Sequence, residues 1–182
     1  MVLKLKRLTP LLLTILLLCG CSDDATYMFS NRKYVFCRFD ALQYAELFTV
    51  MGNPGQYASI RKKVTNGVTK ITITSPSSST DYNFDALSEK FGFGLGGLIV
   101  GTNHYGEALC YDLACPICNR AARRLDISSN DGYAKCANCG VTFNMNNYGV
   151  IHEIPEGANL PVRRGLYRYR IEYNGQIVNP HN

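Results

Sequence analysis

The chain has 182 residues, with 19 Lys and Arg against 14 Asp and Glu, a formal net charge of +5. Three of the basic residues, Lys4, Lys6 and Arg7, fall in an N-terminal leader. Without them the balance is 16 against 14, or +2, which gives no ground for a nucleic-acid partner. Roughly 160 residues then remain, enough for one domain, and twelve Tyr and eight Phe supply apolar bulk for a β-rich core despite the absence of Trp.

Residues 1–20 read as an export signal: a basic start, the apolar run "LLLTILLLCG", and small residues at its end. The run is shorter than the roughly 20 residues a membrane-spanning helix needs. Leu18-Cys19-Gly20-Cys21 resembles a bacterial lipobox, which implies acylation of Cys21 and anchoring to the outer membrane or cell surface. Residues 21–31 follow as a polar tether. Its opening "SDDATY" fits either a surface-export signal of the kind some Gram-negative anaerobes use or a plain solvated spacer.

Residues 32–180 read as one domain. "RKYVFCRF" (32–39) alternates as a strand, and the apolar positions 42, 44, 47, 48 and 51 predict a short helix stopped by Gly52-Asn53-Pro54-Gly55. "QYASIRKKV" and "VTKITITS" flank Asn66-Gly67, a strong hairpin signal. "PSSSTD" reads as a solvated loop, and "DYNFDALSEKFGFGLGG" as one helical turn entering a glycine-rich approach. Gly92, Gly94 and Gly97 spell a G-x-G-x-x-G pattern. It leads into "GLIVGT", a strand, where a dinucleotide site needs a helix, so the glycines read as a bend. "EALCYDL" (107–113) is a further strand. Tyr167 to Tyr173 alternates aromatic with charged residues before an Asn174-Gly175 turn. Short strands between turns define an all-β fold, a small antiparallel sandwich or barrel.

Chemistry concentrates in "ACPICNRAARRLDISSNDGYAKCANCG". Cys115 and Cys118 form one Cys-x-x-Cys pair and Cys136 and Cys139 a second, with seventeen residues between them. One tight turn presents two sulfurs to the same ion, and the residue after the second cysteine must adopt positive φ, which Gly140 and Asn119 tolerate best. Of the eight cysteines, Cys19 belongs to the leader and Cys21 to the lipobox, and in an exported chain the other six default to three disulfides. A Cys-x-x-Cys disulfide, however, is strained, and the spacing matches that of a tetrahedral four-thiolate metal site. Cys37 and Cys110 lie in predicted strands and fit one disulfide or two buried thiols equally.

"GLIVGTNHYGEALCYDLACPICN", "YAKCANCGVTFNMNNYGVI" and "LYRYRIEYNGQIV" together resemble the Rieske iron–sulfur domain. Cys115-Pro116, Cys136, Gly140, Phe143-Asn144 and Gly149 match its pattern over residues 91–179, which would carry metal-binding loops at the domain's tip. Residues 32–90 resemble an elaboration found in exported Rieske-like lipoproteins of gut anaerobes. The resemblance implies a metal centre held by these loops, but the ligands differ. Cys139 stands where the second His belongs and Ile117 occupies the first His position, while His104, His152 and His181 fall outside the ligand spacing. A two-His centre is thereby excluded. A [2Fe–2S] cluster with four Cys ligands would have a low potential, about −400 mV.

Two arguments favour structural zinc over [2Fe–2S]. The spacing closes a tetrahedral site with no open position. In addition, Lys6-Arg7 is not a twin-arginine signal, so the chain crosses the membrane unfolded and collects its metal outside. Zn(Cys)4 carries −2, which Arg120, Arg123, Arg124 and Lys135 can offset, although these residues equally suit a solvated loop. The remaining alternative is a thiol-exchange enzyme. No Ser/His/Asp set, carboxylate pair or phosphate loop points to hydrolysis or transfer, and the domain reads as a non-enzymatic module that can serve as one subunit of an assembly.

Overall fold

The runs "LIVGT" and "ALCYD" are apolar on consecutive residues, the signature of a strand covered on both faces. In the computed structural model, which describes residues 29–30, 33–83 and 90–182, they become β7 (Leu98–Thr102) and β8 (Ala108–Asp112) at the centre of a ten-stranded sheet. The leader, Cys21 and most of the tether lie outside the described residues. Before β7 come β1 (Val35–Phe36), β2 (Phe39–Asp40), a 3-10 turn (Ala41–Gln43), α1 (Ala45–Gly52), β3 (Tyr57–Thr65), β4 (Val68–Thr74), β5 (Ser79–Asn83) and β6 (Gly92–Phe93). After β8 come β9 (Leu125–Asp126), β10 (Tyr133–Cys136), β11 (Thr142–Asn144), β12 (Val150–Glu153), β13 (Arg168–Tyr173) and β14 (Ile177–His181).

The large sheet runs β5-β4-β3-β7-β8-β13-β14-β1-β6, with β2 also on β14. Every strand pairing is antiparallel. A second sheet, β12-β11-β10-β9, is an insertion: the chain leaves β8 at Leu113 and returns through Tyr167 to β13, which pairs with β8 at Tyr111–Arg168 and Cys110–Tyr169. The expected sandwich is present. The expected barrel does not close: β5 and β6 remain the edges of the large sheet, and α1 packs into its core.

Alternation along β7 and β8 sorts two cores. Leu98, Val100 and Cys110 face Ile60, Ile71, Ile73, Tyr169 and the α1 residues Leu47, Val50 and Met51. Ile99, Leu109 and Tyr111 face Leu125, Ala134, Phe143 and Met145 of the smaller sheet, together with Cys115 and Cys136. The metal-binding loops therefore rest on the back of the large sheet.

The Asn66-Gly67 hairpin forms with Thr65 opposite Val68, and both turn residues have positive φ (52° and 76°), as a two-residue turn requires. The strand expected over 32–39 is broken into β1 and β2 at Cys37-Arg38. The serine loop is shorter than expected, since Ser79–Asn83 pairs with β4 as an edge strand. The helix also departs from its apolar pattern. Leu42 and Phe48 are exposed, while Glu46 is buried. Its carboxylate accepts hydrogen bonds from the hydroxyls of Ser78 (3.0 Å), Thr80 (2.5 Å) and Tyr82 (2.6 Å), which make burial of the charge tolerable.

Candidate metal centre

The two Cys-x-x-Cys turns are built alike. The N–H of Asn119 donates to the Cys115 carbonyl and the N–H of Gly140 to the Cys136 carbonyl, both at 2.8 Å. Asn119 (φ 51°) and Gly140 (φ 74°) both occupy the left-handed region, which is why Gly and Asn are found there. At Gly140 space is short as well, because an added Cβ would meet Pro155 Cγ at 2.6 Å. Each turn is fastened to its surroundings by the first cysteine's N–H, Cys115 to the Arg123 carbonyl and Cys136 to the Val141 carbonyl.

These turns bring all four sulfurs within 4.8 Å of one another. The shortest approaches cross between turns, Cys115 to Cys139 and Cys118 to Cys136, each 3.7 Å. A disulfide needs about 2.05 Å, so neither pair is cystine, and all six described cysteines are free. Four sulfurs about 2.3 Å from one ion at tetrahedral angles would stand about 3.8 Å apart, close to the 3.7 Å of the crossed pairs. The group can hold a metal ion.

Charge explains why it should. Burial pushes the Cys115 thiol up, against backbone N–H groups of Cys118 and Ile117 that favour the thiolate. Burial likewise raises Cys139 to about 11. At Cys136 burial also raises the pKa, but the N–H groups of Cys139 and Asn138 together with the Cys115 and Cys139 thiols outweigh it, leaving that thiol below its ordinary range. Cys118 Sγ accepts from the Asn138 side-chain amide at 3.3 Å, a bond reaching from one turn to the other. The donors are in place for thiolates, yet four negative sulfurs at this separation repel strongly unless a cation neutralises them. Cys115 and Cys136 are sealed in the core, whereas Cys118 and Cys139 border a cleft of about 380 Å³.

Asp112, at the end of β8, positions the first turn. It is fully buried, and its carboxylate accepts from the N–H groups of Leu95 (2.6 Å), Gly96 (2.9 Å) and Ala114 (2.7 Å) and from the Tyr169 hydroxyl (2.7 Å). Ala114 immediately precedes Cys115. Gly94 (φ 67°) permits the approach, since a Cβ there would lie 2.5 Å from Asp112 Oδ2. The G-x-G-x-x-G stretch thus wraps a carboxylate of the protein itself, and it leads into β7 rather than a helix. Its one sequence signal was an acidic residue inside the apolar run "ALCYDL".

The other residues singled out in the sequence divide. Arg120 and Arg123 border the cleft beside Cys118 and Cys139, while Arg124 donates through Nε to the Gly96 carbonyl at 2.9 Å and Lys135 is exposed on β10. Cys37 and Cys110 are separate buried thiols in one core, and Cys37 Sγ donates to the Gly92 carbonyl at 3.2 Å. Burial raises both thiols, so they are poor nucleophiles. None of the three histidines joins the group. His104 meets Asn146, His152 packs on Tyr133, and His181 contacts the Asn179 carbonyl. Tyr167 and Tyr169 are buried and belong to the core.

The chain matches no protein-family model, no curated protein and no solved structure. Fold and site together define an antiparallel all-β protein carrying a four-cysteine group able to hold a metal ion.

Proposed function

We propose that this is an exported lipoprotein whose single β-domain, residues 32–180, holds one structural zinc ion through Cys115, Cys118, Cys136 and Cys139. The observation that carries the reading is the spacing of the sulfurs, all within 4.8 Å. That spacing suits one ion. Closure of a tetrahedral four-thiolate site by two Cys-x-x-Cys turns favours zinc over a [2Fe–2S] cluster, which remains the alternative. A closed four-thiolate zinc leaves no position for substrate and contributes folding energy in place of catalysis.

The Rieske-like part of the reading rests on chain order. β8 runs into Cys115-Pro116, Phe143 and Asn144 lie in β11 before the Gly149 turn, and the β13–β14 hairpin returns to the large sheet. The proposal is therefore a Rieske-like body in which a four-thiolate zinc has replaced the two-His cluster. Anchoring through Cys21 rests on the lipobox resemblance of Leu18-Cys19-Gly20-Cys21, and the tether that follows it ends on the domain. Ser30 N–H donates to the Arg168 carbonyl at 2.6 Å, and the Phe29 ring lies under the Arg168 and Arg170 guanidiniums. Residues 22–28 would then keep this face within about 25 Å of the membrane, at about 3.5 Å per residue. No helix among the described residues is long and apolar enough to cross a membrane.

Metal analysis of protein purified from its native host tests the centre. The expected result is one zinc per chain and a colourless protein, while two irons with inorganic sulfide and visible absorption would establish the electron carrier instead. Mass spectrometry of the mature N-terminus tests the anchor. An acylated Cys21 is expected, and a Cys21→Ser chain should leave the membrane fraction.

A further inference from the structure

Among the described residues one buried side-chain nitrogen lacks any hydrogen-bond partner, Arg61 Nε. Arg61 lies on β3, on the same face as Tyr57 and Ser59 and opposite Thr72 of β4. Its stem packs against Gly97, where an added Cβ would come 3.1 Å from Arg61 Cγ. The guanidinium stands where two clefts meet, one of about 230 Å³ and one of about 370 Å³. Arg124 lines both clefts too, and Arg61 and Arg124 are the two residues the clefts share. Arg124 comes from the loop after the first Cys-x-x-Cys turn, oriented by its bond to the Gly96 carbonyl.

Neither arginine has a carboxylate partner among the described residues. The one ion pair there joins Lys63 to Asp81 at 3.5 Å, and Asp81 also accepts the Thr72 hydroxyl. The acid that lines the first cleft, Asp126, accepts the Ser128 N–H. Hydroxyls of Ser59, Thr74 and Ser75 line the same cleft. Two guanidiniums without an ion-pair partner among the described residues share a recess whose one acid, Asp126, is held by the Ser128 N–H, and a bound anion would complete the arrangement.

We propose that Arg61 and Arg124 form a binding site for the oxyanion group of a small acidic molecule, a carboxylate, phosphate or sulfate. Arg61 and Arg124 hold the charged group, and the serine and threonine hydroxyls of the first cleft take the polar remainder. The site lies between the large sheet and the loop that follows the first cysteine turn, so it does not depend on which metal the cysteines take.

Calorimetric titration of the metal-loaded protein at low salt with inorganic phosphate, sulfate and acetate separates the three oxyanion classes. At least one should bind one-to-one with a Kd of about 1 mM or lower. Arg61→Met and Arg124→Gln should each weaken that binding about tenfold or more, while Lys33→Gln, outside both clefts, should leave it unchanged. Arg61→Met also removes the unpartnered nitrogen, so without anion it should melt at or above the wild-type temperature. The absence of saturable binding by any of the three probes would overturn the proposal. So would equal losses from Lys33→Gln, or a lowered melting temperature in Arg61→Met with anion binding intact.

Discussion

The two cores on either side of β7 and β8 are held by different means. On one side lie the long strands β3 and β4, α1 and a dense set of Ile, Val, Leu and Phe, whose burial suffices at about 25 cal/mol per Å². On the other lie β9 to β12, none longer than four residues, whose hydrogen-bonded ladders are too short to persist alone. There the two Cys-x-x-Cys turns bring four sulfurs together beside the short strands, and the proposed zinc would add the cross-link that the ladders lack. The contrast teaches that this protein gathers its thiols where its strands are shortest, inside a core that is itself apolar.

Removing the metal should break that contrast most visibly. Cys136→Ala, or a strong chelator, should abolish metal binding and cost about 5 kcal/mol or more. Hydrogen exchange should become fast across β9 to β12 while β3, β4 and β7 stay protected. Simultaneous loss of protection in both sheets would show that they fold as one unit.

Asp112→Ala comes next, at about 4 kcal/mol, because it strands two buried N–H groups, the half-buried Leu95 N–H and the Tyr169 hydroxyl together. Unlike a core truncation, it should also weaken metal affinity in a competition titration, since Ala114 precedes Cys115. Ile73→Ala, in the apolar core, should cost about 3 kcal/mol in a denaturant melt and leave metal affinity unchanged. Gly140→Ala should cost about 2 kcal/mol through its positive φ and the Pro155 clash, whereas Asn119→Gly at the equivalent position should change stability by less than about 1 kcal/mol.

The smallest effect belongs to Glu46. Burial alone would raise its carboxyl, but the hydroxyls of Thr80, Tyr82 and Ser78 outweigh it and hold the group below the usual glutamate range. Its contribution is therefore present above the usual glutamate pKa, about 4.3, and is lost as pH falls from there through the lower folded pKa. Melting temperatures measured across that interval should fall more steeply for the wild type than for Glu46→Gln.

Much of the site was legible because its information is local. The Cys-x-x-Cys spacing, the Gly140 and Asn119 positions and the Asn66-Gly67 turn each depend on a few neighbouring residues and backbone sterics. β9 to β12 were not legible as a sheet, because strands of two to four residues carry too little periodicity to register. Asp112 and Glu46 were opaque for another reason: an acid in an apolar run signals a buried partner set without naming it, and the partners come from β13, the glycine turn and β5.

By itself the sequence determined that the chain is built of antiparallel strands and that two tight turns would each present a pair of sulfurs, since side-chain alternation and turn conformation are properties of adjacent residues. Tertiary structure alone decided that the four sulfurs meet and that the small sheet sits as an insertion on the back of the large one. It alone also decided that Arg61 and Arg124 share a recess. These facts join residues tens of positions apart, and only the packing of one sheet on the other sets the distances between them.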